Sequence, residues 1–381
     1  MPDEDQRVTP AVAGAAGVDR PGSVRHDAVR ATPGLAVEFI DRPERLEALA
    51  GEIDALMART GAPASSSWPA LRAGMANDPE SRIWAVVVRR AEAAVGAALF
   101  TLQQRVGMWV LRSMTQSDQE GWLAAVDDVA ADALGQAVAE GLRELHLPWR
   151  MELRLMPADD PVLASLVRAM PTSHLQPFTS VARLACDAAS PLASCLSYNT
   201  RVAVARARKR IAAAGLSLGI HWTREREQID AALDEVIDLR CRRDVQLRGV
   251  ALLHDPQERA VFENTVRGHA AAGRTRLLTL RLDGALAAFA VCFEASGRLH
   301  VNSNMAAPSW LQYSPGTIAN AEVVAAAHRD PGVRDIDWGP GLQRYKLSGE
   351  YVQVDQLVNF HAWSSAGCRL AWTLYDRMAR R

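Results

Sequence analysis

The chain runs through one order of elements twice, and this internal repeat restricts its folding more than any other feature. Each half reads as a strand, helices, an antiparallel meander, a helix, a strand, a short helix and a closing strand. In the first half the meander comprises Ile83 to Val88, Val95 to Gln103 and Met108 to Arg112, with Gly96 and Gly107 near the turns. A helix over about 126–145, an alternating strand from Trp149 to Leu155, a short helix from Asp160 and a strand near 179–184 complete the unit. In the second half a strand at 216–222 precedes a helix that Thr223 can cap, and Asp255-Pro256-Gln257-Glu258 opens another. Strands at 276–282, 285–293 and 298–304 turn at Asp283-Gly284 and Ser296-Gly297. A helix at 314–328, a short buried strand at 333–337, a strand at 352–360 and a helix at 368–378 follow. Two α+β modules in tandem fit this pattern better than one large sheet.

The boundaries drawn from it are a disordered tail over 1–34, a first domain over 35–187, a linker and basic helix over 188–214, and a second domain over 215–381. The tail is rich in Ala, Pro, Gly and Asp and has no periodicity. Order begins near Leu35, and Asp41 with Glu44 forms a helix start whose apolar face is Leu46, Leu49, Ile53 and Leu56.

Composition excludes several classes. The net charge is −1, so any polyanion must be bound by a local patch. Five scattered cysteines without C-x-x-C spacing argue against zinc and a disulfide framework, and the expectation is no metal and a reducing, cytoplasmic setting. No apolar run approaches ~20 residues, so no membrane span is expected. The start Met1-Pro2-Asp3-Glu4-Asp5 lacks the basic residues of a signal peptide. Gly339-Pro340-Gly341 imitates the opening of a dinucleotide fingerprint, but Arg344 stands at the third glycine position and no long helix follows.

Of 43 basic residues all but two are arginine. The two lysines are Lys209, in the most basic stretch, and Lys346, in a chemically dense segment near the C-terminus. That segment reads Tyr313-Ser314-Pro315-Gly316-Thr317, a helical run, Asp335-Ile336-Asp337-Trp338-Gly339, and then Arg344-Tyr345-Lys346. A lysine is a compact point charge suited to a phosphate or a developing oxyanion. The basic stretch carries Arg201, Arg206, Arg208, Lys209 and Arg210 without an acid. It is either a solvated helix face or a grip on a phosphate. Asp337 ends a buried strand, where it can accept or orient an amine proton or simply bond backbone or Arg344; Asp335, two positions earlier, faces the same side and competes for the role. By the same period His300, Asn302 and Asn304 share one face of a central strand, where they line a cleft, with His300 as a base, or only satisfy one another.

The element order and four motifs resemble the GNAT acetyltransferase superfamily, in particular its tandem-GNAT branch, which includes FemAB-like aminoacyltransferases and cellulose-biosynthesis-protein-like acetyltransferases. The motifs are the basic helix from Tyr198 to Arg210, the hairpin from Leu280 to Ala288, Ser314-Pro315-Gly316, and Asp335 to Gly339 followed by Tyr345-Lys346. The resemblance implies two tandem GNAT-like domains, each a mixed, mostly antiparallel sheet flanked by helices. It implies an N-acyltransferase that moves an acyl group from acyl-CoA, its co-substrate, directly to a small-molecule amine, with no tightly bound cofactor. It also implies roles. Lys346 stabilises the oxyanion and Tyr345 stacks or donates a proton; Tyr313 protonates the leaving thiolate. Ser314, Gly316 and Thr317, with Arg206, Lys209 and Arg210, hold the donor's phosphates. Asn302, Asn304, Arg344 and Trp338 meet the substrate. The phosphate loop of typical members carries more glycines than Gln312 to Thr317 does, which keeps two alternatives open: a FemAB-like enzyme with an aminoacyl-tRNA donor, and a non-catalytic binding module.

Overall fold

The computed structural model describes residues 30–379, apart from 33, 78–79, 115–119 and 187–190. Most of the expected tail therefore lies outside the described residues. Its end does not, because Arg30–Thr32 forms a short strand, β1, paired with β2 (Leu35–Ile40). The helix that follows is broken: α1 (Pro43–Ala48) and α2 (Ala50–Arg59) meet at Leu49, and the cap residue of α1 is Arg42, with no side-chain bond, rather than Asp41. The expected apolar face is buried all the same, through Leu46, Leu49, Ile53 and Leu56. A helix the periodicity did not suggest, α3 (Trp68–Asn77), comes next.

The meander is β3 (Arg82–Arg90), β4 (Ala93–Arg105) and β5 (Met108–Ser113), with β6 (Ala124–Ala125) beside β4. Then come α4 (Asp128–Arg143), β7 (Trp149–Pro157), α5 (Pro161–Ala169) and β8 (Ser173–Ala185). The second half opens with α6 (Leu192–Cys195) and α7 (Tyr198–Ala213). It repeats the order with β9 (Leu218–Thr223), α8 (Arg226–Arg248) and α9 (Pro256–Ala271). Here Glu225, not Thr223, holds the cap position of α8, while the Thr223 hydroxyl accepts the Glu225 N–H. The second meander is β10 (Thr275–Leu282), β11 (Ala285–Ala295) and β12 (Arg298–Ala306). The chain ends with α10 (Pro315–Arg329), β13 (Asp335–Pro340), β14 (Val352–Trp363) and α11 (Ala366–Ala379).

The expectation of two sheets in tandem needs one correction. The described strands form a single sheet, in the order β1-β2-β3-β4-β5-β7-β14-β8-β13-β12-β11-β10-β9. The α+β modules are there, but each lends its last strand to the other. β14 lies between β7 and β8 of the first half, and β8 lies between β13 and β14 of the second. Strand order along a sequence carries no information about such an exchange. All pairings are antiparallel except two, β5 with β7 and β12 with β13. Each parallel pair needs a crossover, which α4 and α10 supply.

Helices cover both faces, so the inner strands are apolar almost throughout, as in β3 and β10. One face packs on α4, α5, α7 and α10 around Phe100, Phe360, Leu299 and Ile336. The other packs on α1, α2, α8 and α9 around Leu56, Phe262 and Phe289. On that second face α3 meets α9 so closely that a Cβ at Gly268 would stand 3.2 Å from the Pro69 carbonyl oxygen.

Candidate active site

β12 and β13 pair for three rungs only: Arg298 with Asp335, Leu299 with Ile336, and His300 with Asp337. Beyond the third rung both strands continue without pairing to each other, β12 to Ala306 and β13 to Pro340. A gap therefore opens in the sheet just past His300 and Asp337. Gly339, at φ 70°, turns β13 away. The Gly339 N–H donates to Asp337 Oδ1 at 2.7 Å. Lys346 is buried, and its Nζ donates to the Gly339 and Pro340 carbonyls at 3.0 and 2.9 Å, holding this lip in place. Burial lowers the Lys346 pKa to about 8, against the pull of Asp337.

Two clusters meet at the gap, one on each face. On the face of α8 and α9, His300 Nδ1 stands 3.4 Å from Asp337 Oδ2, while His300 Nε2 accepts the Ala64 backbone N–H at 3.1 Å. These partners assign the ring proton to Nδ1. Asp337 is buried, which by itself would raise its pKa; His300, Arg183 and the Gly339 N–H outweigh that and hold it well below the usual carboxylate range. Arg183, from β8, is shared by three carboxylates. It donates to both oxygens of Glu120 at 2.7 and 2.9 Å, pairs with Asp355, and lies 3.5 Å from Asp337. Glu120 is driven the other way, to about 7, first by burial and then by the charge of Asp337, against Arg183. His300, Asn302, Asp337 and Glu120 line a narrow recess of about 30 Å³ between the halves, with room for an amino group but not for a whole substrate.

On the face of α10, the Tyr345 ring meets Trp338 edge-on at 5.5 Å and its hydroxyl lies 3.5 Å from the Asn304 amide. Asn304 in turn donates to Asn320 Oδ1 of α10 at 2.8 Å. Burial raises the Tyr345 pKa. Tyr313 packs against Trp310 at 5.9 Å. Ser314, at φ 54°, occupies the cap position of α10 but makes no side-chain cap bond, and the first turn holds no acid. Its hydroxyl accepts instead from Arg210 Nη2 at 2.9 Å. Gly316 lets the helix start sit against the end of β12, since a Cβ there would stand 3.3 Å from the Ala306 Cβ. Pro315 has no N–H and the Thr317 N–H donates to the Ser314 carbonyl at 3.1 Å, so the Gly316 amide is the donor left at this end, where the helix dipole favours an anion.

The sequence-predicted residues thus converge on one gap but not on one face. The expectation that His300, Asn302 and Asn304 point the same way is overturned. The β11–β12 register shifts so that Val291 opposes Ser303 and Cys292 opposes Val301, leaving Asn302 as an extra residue in a bulge. The alternation inverts there: His300 faces the recess and Asn304 faces α10. Asp335 is no competitor for Asp337, because it is paired with Arg298. Arg206, Lys209 and Arg344 are exposed, and Arg208 is paired with Glu322 at 2.7 Å, so only Arg210 of the basic run reaches the helix start. Ala64, Glu120 and Arg183 escaped the sequence reading. They come from the first half, and nothing local in the sequence links them to His300.

Residues 199–347 match the family model described as an acetyltransferase (GNAT) domain. This part of the chain is a GNAT domain. The match supports an acyltransferase. No curated protein gives a significant match. Among solved structures, FemX is similar with a TM-score of 0.59 at 11% identity, over 85% of this chain and 96% of that one. A conserved protein of unknown function from Bacteroides thetaiotaomicron is similar with a TM-score of 0.57 at 14% identity, over 85% and 98%. The C-terminal domain of a protein described as a lysylphosphatidylglycerol synthetase, from Agrobacterium fabrum, is similar with a TM-score of 0.52 at 11% identity, over 86% and 95%. All three extend the likeness from the GNAT domain to the tandem fold of both halves, and to the fold alone. Among the described residues no helix is long and apolar enough to cross a membrane, and no group of three or more His, Cys, Asp or Glu could hold a metal ion.

Proposed function

We propose that the protein moves an acyl group from acyl-CoA to an amine by direct attack at the gap between β12 and β13. The observation that carries this reading is the start of α10: a helix end with no side-chain cap and no acid, with Arg210 bonded to Ser314 at the mouth of the gap. A pyrophosphate suits the Gly316 amide, the positive end of the helix dipole and that guanidinium. The donor then lies on the α10 face, near Tyr345, Asn304 and Asn320, and the acceptor nitrogen approaches from the recess on the opposite face. The two meet in the plane of the sheet where the strands part. Lys346 has three N–H groups, two of them bonded to carbonyls at the lip, which leaves one without a partner among the described residues for the oxyanion. Tyr345 and Tyr313 are the hydroxyls on the donor side, candidates for protonating the leaving thiolate. Trp338 packs behind Tyr345 on the donor face, away from the recess, and Arg344 is exposed.

Calorimetry with acetyl-CoA and longer acyl-CoAs tests the donor. Micromolar binding is expected in the wild type. Arg210→Ala is expected to weaken it about 10- to 100-fold, the value of one or two charge-assisted hydrogen bonds. Binding only to charged tRNA, lost at high salt, would move the protein to aminoacyl transfer. Binding of a ligand without transfer from any donor would make it a non-catalytic module.

A further inference from the structure

We propose that Glu120, contributed by the first half of the chain, takes the proton from the acceptor amine; this rests on the acyl-transfer reading above. The obvious candidate, His300, has no lone pair to offer. Its Nδ1 faces Asp337 and its Nε2 accepts the Ala64 N–H. That N–H belongs to a segment fastened just before it: Ser296 Oγ donates to the Ala62 carbonyl at 3.0 Å, and Arg298 donates to the Gly61 carbonyl at 3.3 Å. Asp337 is no better placed. One oxygen accepts the Gly339 N–H and the other faces His300 and Arg183, and its low pKa makes it a weak base.

Glu120 differs on each count. It lines the same recess, and its two oxygens share one Arg183 nitrogen, so each keeps lone-pair capacity. Burial and the charge of Asp337 put its pKa at about 7, where a general base works best at neutral pH. The charged groups around it are Arg183 of β8, Asp337 and Arg298 of the neighbouring strands, and, through Arg183, Asp355 of β14. Three carboxylates, Glu120, Asp337 and Asp355, stand against two guanidiniums, Arg183 and Arg298, so the acceptor enters as an ammonium. It passes one proton to the Glu120 carboxylate. The freed nitrogen pair forms the C–N bond at the thioester carbonyl, whose π electrons become the oxyanion. Collapse breaks the C–S bond, the second nitrogen proton ends on the departing thiolate, and Glu120 releases its proton to water.

The test is the pH profile of kcat/KM for wild type, Glu120→Gln and Glu120→Asp, with folding checked by circular dichroism. The wild-type rate is expected to rise with pH through about 7 as Glu120 ionises. Glu120→Gln is expected to lose about 100-fold or more and to lose that rising limb, while Glu120→Asp keeps the limb at a reduced rate. The loss is expected to shrink for a weakly basic acceptor such as hydroxylamine, which needs no deprotonation at neutral pH. A uniform loss with the limb intact would assign Glu120 a structural role and overturn the proposal. An independent readout needs no turnover: carbon-13 NMR of the full chain should show the Glu120 carboxyl titrating near neutrality. Titration in the ordinary carboxylate range overturns the proposal even if acyl transfer is confirmed. Absence of transfer from every acyl-CoA in the wild type overturns it together with the acyl-transfer reading.

Discussion

The two halves share a frame and differ at two matching places. The first is the helix that crosses over between the parallel strands. In the first half α4 begins at Asp127, whose carboxylate accepts the Ala130 N–H at 2.8 Å, with Asp128 in the first turn. In the second half the start of α10 has neither a side-chain cap nor an acid. The second place is the last rung of the parallel pair. It is Arg112 with Glu152 in the first half, a loose pair at 3.6 Å, and His300 with Asp337 in the second, tied into a buried network. At these two places the first half is closed by its own side chains. The other has kept a helix end and a strand gap for something else. The difference lies in a few side chains, not in topology.

Substitutions can erase or exaggerate that difference. The largest effect is expected from Asp337→Asn, which takes a charged acceptor from the His300 and Gly339 N–H groups while Arg183 keeps Glu120 and Asp355; the loss is about 1.5–3 kcal/mol. Chemical denaturation would measure it, against less than about 1 kcal/mol for the matching Glu152→Gln, whose partners are partly exposed. If the two costs are equal, the contrast between the rungs is empty. Next comes Ser314→Asp, which gives α10 the acidic cap of α4; aspartate tolerates the left-handed backbone at this position. Acyl-CoA affinity should fall about tenfold by calorimetry, since a carboxylate then occupies the anion's place. The smallest is Asp127→Ala, expected to cost about 1 kcal/mol of stability and to leave acyl-CoA binding unchanged. A gain of binding there would show that both helix ends are equivalent.

Much of this was legible in the sequence. Period-two alternation in β7, the Asp255-Pro256 cap of α9 and the Asp283-Gly284 and Ser296-Gly297 turns each depend on neighbours along the chain, and each forms as the local chemistry dictates. The segment from Tyr313 to Lys346 was legible for the same reason. What was hidden depends on partners far away. The Asn302 bulge is set by the register against β11, so the faces of His300 and Asn304 could not be read from spacing alone. Glu120 sits 63 residues from Arg183, and Ala64 sits 236 from His300. The exchange of β8 and β14 is the extreme case, since either half alone would predict its own closing strand.

That exchange has a consequence for how the chain is made. β14, Val352–Trp363, is the last of the described strands in chain order, yet its place is in the middle of the sheet, between β7 and β8. Until it emerges, the first half has a vacant slot flanked by two strand edges, and the Arg183 guanidinium lacks Asp355. Among the described strands, the last in chain order is thus the one that joins the two halves of the sheet.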